Sequence, residues 1–339
     1  MQPGFFDLDN RHQQLEALGD PLPKLNQIVD WEAFRPVLLK IREKPRKNTS
    51  GRKPYDVVLM FKVLVLQHLY NLADDQTEYQ IRDRYSFSRF LGLSPEGRVP
   101  DAKTLWVFRE ALKEHELVDE LFAQLDAQIK AAGYIPRQGQ IVDASMVAAP
   151  RQRNSREDNA KIKQGEVPEG WEENPNMLRQ KDLDARWTKK HGQTHYGYKN
   201  HISIDRKHKL IRHFEVTPAS VSDNSVLDVL IDPDNTSADL WADAAYRSKA
   251  QEERLKAEGY RSHIHTKGQA SKPVSACQQR ANRKRSRVRS RVEHVFAAQQ
   301  AMGGKRVRTI GMARARVKVA MMNIVYNLRR WCWLETATT

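Results

Sequence analysis

The chain has 339 residues, with 57 Lys and Arg against 42 Asp and Glu, for a net charge of +15. That excess calls for a polyanionic partner, nucleic acid first, and the length leaves room for two domains. No run approaches the ~18–20 apolar residues of a membrane span, the start MQPGFFDLDN lacks the pattern of a signal peptide, and Cys277 and Cys332 stand in no metal-binding spacing, which suits a reducing, cytoplasmic setting.

Residues 1–54 read as an N-terminal arm and linker. Within them, residues 35–53 carry eight basic groups against Glu43 alone. The stretch KPRKNTSGRKP suits a basic loop, either along phosphates or as a solvated linker. Residues 55–136 read as all-α. Residues 56–70 are apolar enough to be buried on most faces, and Thr77 is placed to cap the next helix. GLSPEGRVP breaks the pattern, and Asp101 caps a helix carrying Leu105, Trp106, Phe108 and Leu112. Tight breaks between short helices suit a helix-turn-helix-like module or a bundle for dimerisation. In the first case Lys103 and Arg109 are candidate DNA contacts.

From residue 137 the period changes. GQIVDASMVAAP and YGYKNHISID read as strands, and LIRHFEVT completes a hairpin with the second. A short helix over 223–230, a strand ADLWA, a helix over 248–258 and a strand over 261–266 follow. The order implies an α/β core around a mixed sheet. Residues 151–195 form a polar insertion too long for an ordinary connection. Residues 286–302 place Val288, Val292, Val295 and Phe296 on one helical stripe, and a C-terminal helix spans 311–334.

Three acids carry the chemistry. Asp143 in IVDAS and Asp243 in LWADAAY sit where β-branched or apolar runs end. Glu293 is the one acid between Arg280 and Lys318, a window with thirteen Lys or Arg. Taken singly, each aspartate suits a turn cap, and Glu293 suits an i,i+4 pair with Arg289. Taken together on a basic chain, three carboxylates suit Mg²⁺ or Mn²⁺ bound by hard oxygens. Two such ions about 3.5–4 Å apart serve an in-line displacement at phosphorus. The sequence has no Ser-His-Asp set and no GxxxxGK[ST] loop. His191 and His195 suit a solvated or phosphate-contacting pair better than a metal site. The arginines of 280–291 and the basic residues of 305–318 are the densest candidates for phosphate contact, among them Arg285, Arg287, Arg289, Arg291, Lys305 and Arg306. Lys199 in YGYKNH is either a DNA contact or a solvent-facing strand residue.

IVDAS, TKKHGQTHYGYKNHISID at 188–205, ADAAY at 242–246 and RVEHVFA at 291–297 together resemble the catalytic core of bacterial insertion-sequence DDE transposases of the insertion-sequence-five group. GRKPYDVVLMFKVLVLQHLYNL and VPDAKTLWVFRE resemble that group's N-terminal helical domain. The resemblance runs in order from about residue 51 to residue 330. It implies an RNase H-like α/β catalytic core over 137–339, preceded by an all-α DNA-binding or dimerisation domain. It implies a catalytic, metal-ligating triad of Asp143, Asp243 and Glu293 holding two Mg²⁺ or Mn²⁺ ions. It also implies phosphate-positioning roles for Tyr246, Arg287 and Arg291. The expected partners are double-stranded DNA, both terminal inverted repeats and target, and a second copy of the chain or a larger assembly on paired ends, at the nucleoid and away from membranes. The rival expectations are a catalytically silent DNA-binding protein of transposase descent and a non-transposing RNase H-like nuclease. Ala242 stands before Asp243 where many relatives have Gly.

Overall fold

The computed structural model describes residues 6–42, 53–94, 96–190, 192–268 and 273–338. Most of the basic loop of 44–54 and His191 lie outside the described residues. The chain forms two compact units, one of Met1–Ile129 with Ile324–Thr339 and one of Lys130–Asn323.

The first unit is helical: α1 (Asp7–Ala17), α2 (Leu22–Ile28), α3 (Arg35–Leu39), α4 (Val57–Leu69), α5 (Asp74–Asp83), α6 (Tyr85–Leu91), α7 (Ala102–Glu114) and α8 (Val118–Ala131), the last running two residues into the second unit. Asp56 caps α4 through the amides of Val58 and Leu59, and Asp101 caps α7 through Thr104, each satisfying donors that a helix start leaves open. α4 is buried on nearly every face, as its continuous apolar run requires. No single helix of the described residues is long and apolar enough to cross a membrane. Thr77 is not a cap. It lies inside α5, fully buried, and its hydroxyl donates to the Ala73 carbonyl, because Asp74 and Asp75 already supply the acidic first turn that the helix dipole favours.

The second unit is built on β1 (Gln140–Ala148), β2 (Arg186–Lys190), β3 (Gln193–Asp205), β4 (Ile211–Pro218), β5 (Asp239–Trp241) and β6 (Arg261–Ser262). β3 runs antiparallel to β1, pairing with the whole of β1 through Gly197–Asp205. On its other flank β2 pairs with the first half of β3 and β4 with the second. β5 is parallel to β1, and β6 is parallel to β5. Four antiparallel strands, with β2 and β4 sharing one flank of β3, continued by two parallel ones make the mixed sheet of an RNase H-like core. Residues 261–266 form less strand than their alternation suggests, since β6 ends at Ser262. The insertion is ordered across its described residues: α9 (Arg156–Gln164) starts with a capping box, α10 (Pro175–Leu178) follows, and β2 extends the sheet. Gly197 stands where β2 gives way to β4. A Cβ there would lie 2.6 Å from the Ala149 amide nitrogen, so the close crossing with the end of β1 admits only glycine.

Helices cover both faces of the sheet. On one, α11 (Leu227–Leu230) and α12 (Lys249–Ala257) bury Val142, Leu240, Ala242 and Tyr246 together with Leu227, Leu230 and Leu255. On the other lie α13 (Ala276–Ala301) and the first half of α14 (Met312–Thr338), where Ala315 and Val319 join Val147, Tyr198 and Val216. α13 begins ten residues before the expected stripe because Ser275 and Gln278 form a capping box, a strong start signal. Val292 and Val295 are fully buried. A buried amide brace joins three elements on this face. Asn200 on β3 donates to Asn323 on α14 at 3.0 Å, and Gln299 on α13 donates to the same oxygen at 2.6 Å.

Candidate active site

The parallel pairing of β1 and β5 sets Gln140 opposite Leu240 and Ile141 opposite Trp241. Continued by two residues, that register brings Asp143 level with Asp243 on the neighbouring strand. Asp243 falls where β5 ends. Its extended backbone and a carboxylate that accepts from the Ala245 amide at 2.8 Å make it the cap of a short 3₁₀ turn over Ala244–Tyr246. The capping role and the cleft position are therefore held by one residue. Asp143 remains inside β1, on the face that α13 covers, and its Oδ1 accepts from the Ala144 amide at 2.8 Å.

α13 packs across β1 and β5 and carries the third acid. Val292 and Val295 face the sheet, so Glu293 projects to the rim, with its side chain 63% exposed. Asp143, Asp243 and Glu293 line one open cleft of about 1070 Å³. The cleft is also lined by Arg151, Lys190, Arg289, Lys305 and Arg306. Five cations against three acids in one groove give it the sign that a polyanion requires. Lys305 and Arg306 reach the cleft through backbone pairing. Ala148 donates to the Lys305 carbonyl and accepts from Val307, each at 2.9 Å, which fixes the loop against the end of β1.

Burial sets the electrostatics. Asp143 is 8% exposed, and desolvation pushes its carboxyl up from 3.8 to about 6, against the pull of Arg289 and with the help of Asp243. Arg289 donates from Nη1 to Asp143 Oδ2 at 2.6 Å, and its Nη2 stands 3.7 Å from Glu293 Oε1. Tyr246 is fully buried, its hydroxyl has no hydrogen-bond partner among the described residues, and burial with Asp143, Asp223 and Asp243 nearby pushes its pKa well up. Desolvation, then Arg289 and Arg285, pull His265 down.

Residues 135–328 match the family described as Transposase DDE domain, and residues 9–111 match a second family, described as a Transposase domain. The chain belongs to the DDE transposase family. It is a transposase, an enzyme of DNA phosphoryl transfer. The transposase is also similar to the piggyBac transposase in its cryo-EM synaptic complex with hairpin DNA, at 12% identity and a TM-score of 0.49, over 94% of this chain and 76% of that one.

The transposase's three acids offer only hard oxygen donors, the set that suits a divalent cation. The charge-assisted bond that Asp143 already makes to a cation shows that the pocket accommodates positive charge. Among the described residues no three acidic, His or Cys side chains are grouped as ligands of one ion; the Arg289 guanidinium contacts Asp143 and approaches Glu293.

Several expected DNA contacts are engaged elsewhere. Arg109 makes two bonds to Asp74, at 2.5 and 2.6 Å, and one to Gln67 at 2.9 Å, so it braces α4, α5 and α7 and is not presented to a groove. Lys199 is 9% exposed and pairs with Asp223 at 2.8 Å. Its register partner Met146 places it on the sheet face opposite Asp143. Tyr246 is fully buried in the apolar core with Leu240 and Leu255. Arg285 donates to the Ile264 carbonyl at 2.9 Å, and Arg291 to the Arg206 carbonyl at 3.0 Å, so both tie α13 to neighbouring loops. Lys103, Arg287, Lys305 and Arg306 are exposed. Lys190, Arg151 and His195 also line the cleft. The alternation of half-buried and exposed residues along β2 is the signal by which Lys190 was open to recognition.

Proposed function

We propose that Asp143, Asp243 and Glu293 are the catalytic carboxylates of this transposase, and that they cut DNA at an element's terminal inverted repeats and join the freed end to target DNA. The observation that carries this reading is the register of β1 and β5, which sets two aspartates a hundred residues apart side by side at the floor of a basic cleft. Asp143, Asp243 and Glu293 are the residues that would hold Mg²⁺ or Mn²⁺, two ions at full occupancy. The bound ions supply Lewis-acid stabilisation of the phosphoryl oxygens. The chain's own part is orientation and charge. β1 and β5 are packed from both faces, so the two aspartates stay fixed while the more exposed Glu293 adjusts from the rim. Lys305, Arg306, Lys190 and Arg151 draw the phosphodiester backbone into the cleft, and the lining Phe296 narrows it. A water and then a DNA 3′-hydroxyl are the expected nucleophiles.

The reading extends to membership of the insertion-sequence-five group, to action at the nucleoid in the cytoplasm, and to a dimer or larger assembly that pairs two ends. The test is a nicking assay with Mg²⁺ on duplexes carrying the inverted repeat that flanks the gene. Asp143→Asn, Asp243→Asn and Glu293→Gln should each abolish nicking while gel-shift affinity for the same duplex stays within about threefold of wild type, roughly 0.6 kcal/mol. Nicking retained in any of the three overturns the assignment. Cleavage that ignores the repeat would turn the reading toward a general nuclease.

A further inference from the structure

Arg289 stands apart from the other cleft cations. Lys305 and Arg306 are exposed, whereas the Arg289 side chain is 20% exposed and its charge is already committed. One guanidinium nitrogen donates to Asp143 Oδ2 at 2.6 Å, and another lies 3.7 Å from Glu293 Oε1. Its Nε is buried with no hydrogen-bond partner among the described residues. Two of the three acids therefore face one monovalent cation, held by a single direct hydrogen bond and with one donor unsatisfied.

We infer that Arg289 is an exchangeable counter-ion: it occupies Asp143 and Glu293 until DNA enters the cleft, and a DNA phosphate that draws the guanidinium away frees both carboxylates for the divalent cation. The inference rests on the carboxylate site proposed above. It makes Arg289 a positioning residue that links DNA binding to cation binding.

Three physical points support the exchange. A guanidinium and a divalent cation at the same Asp143 Oδ2 repel each other, so each weakens the other's hold on it. The planar fork that binds a carboxylate also matches a phosphate, and at a phosphate more of its five donors can be used. The buried, unpartnered Nε adds a desolvation cost to the arrangement at Asp143, and movement toward a phosphate removes it. Because linkage is reciprocal, DNA should then tighten the cation by the same factor as the cation tightens DNA.

The experiment is a Mn²⁺ titration of the full chain, read from the electron paramagnetic resonance signal of free Mn²⁺, with and without a cleavage-blocked duplex carrying the terminal repeat. For the wild type, the duplex should tighten Mn²⁺ by about tenfold, within the usual range of coupling between sites. Arg289→Gln should bind Mn²⁺ without DNA about as tightly as the wild type does with DNA, and the coupling should vanish. Arg289→Lys keeps the charge without the fork and should fall between them, which keeps the test open should the glutamine variant fail to fold. Unchanged or weaker DNA-free Mn²⁺ binding in both variants overturns the exchange. Asp143→Asn separates the two readings. If it binds Mn²⁺ like the wild type, the carboxylate site itself is wrong. If it loses Mn²⁺ while the Arg289 variants gain nothing, only the counter-ion inference fails.

Discussion

Asn323→Leu tests whether the amide brace sets the position of α13, which carries the proposed catalytic Glu293. Asn323 is fully buried on α14. Its carbonyl oxygen accepts from Asn200 at 3.0 Å and from Gln299 at 2.6 Å, and its amide donates to Asn200 Oδ1 at 3.3 Å. Leucine fills a similar volume but supplies neither donor nor acceptor. Net hydrogen bonds contribute about 1 kcal/mol each, and a buried polar group left unpaired costs about 1–3 kcal/mol. Asn200 and Gln299 both lose partners, although the Asn200 amide can still approach Gln299 Oε1, 3.4 Å away. The sum is a destabilisation of about 3–5 kcal/mol. Gln299 lies on α13 six residues after Glu293, so the loss should also loosen that proposed catalytic acid. The assay is urea unfolding followed by circular dichroism, with nicking measured well below the unfolding transition. The double change Asn200→Leu with Asn323→Leu should recover part of the stability, since fewer amides are then left unpaired. A loss below about 1 kcal/mol for Asn323→Leu, or full nicking activity in a destabilised variant, would refute the argument.

Other expected outcomes concern charge. Burial raises Asp143 from 3.8 to about 6, so between those values the folded chain holds a proton that the unfolded chain releases. The stability from this group is present in full below about pH 4 and lost as pH rises through about 6, a change of about 3 kcal/mol. Asp143→Asn should remove that part of the pH dependence, as seen by comparing urea midpoints at about pH 4 and about pH 7; an unchanged profile counts against the assigned burial. Breaking the buried Lys199–Asp223 pair with Lys199→Met should cost about 3–5 kcal/mol in urea unfolding, while the salt dependence of DNA binding stays as it was. A reduced salt slope would return Lys199 to the DNA-contact set. Lys305→Ala and Arg306→Ala should each lower the log–log salt slope of DNA binding by about 0.9, one released counterion apiece; two unchanged slopes would remove the loop from the interface.

Much of the site was legible in the amino-acid order. Asp143 follows the β-branched pair Ile141–Val142, and Asp243 follows a short apolar run, so local periodicity placed both on strands; the reading of both at strand ends holds for Asp243 after β5, whereas Asp143 lies inside β1. Glu293 stood out as a single acid on a basic helix whose valines define the buried face. The helix caps at Asp56, Asp101 and Ser248 follow from side-chain chemistry within three residues of the helix start. What is local in the chain, backbone preference and the period of apolar residues, can be read without knowing the neighbours.

The partners of the charged residues were decided only by the tertiary structure. Alternation in β3 tells that Lys199 and Asn200 face opposite ways, but not that both faces are covered. Arg289 has a local acid four residues on, at Glu293, yet its direct bond is to Asp143, 146 residues away in sequence. Arg109 reads as a surface cation on its helix until α5 brings Asp74 against it. Strand register and helix docking are properties of the whole packed unit, fixed by the burial of many side chains at once. They determine which charges meet, so the sequence named the acids of the cleft while the fold chose the cation that sits between two of them.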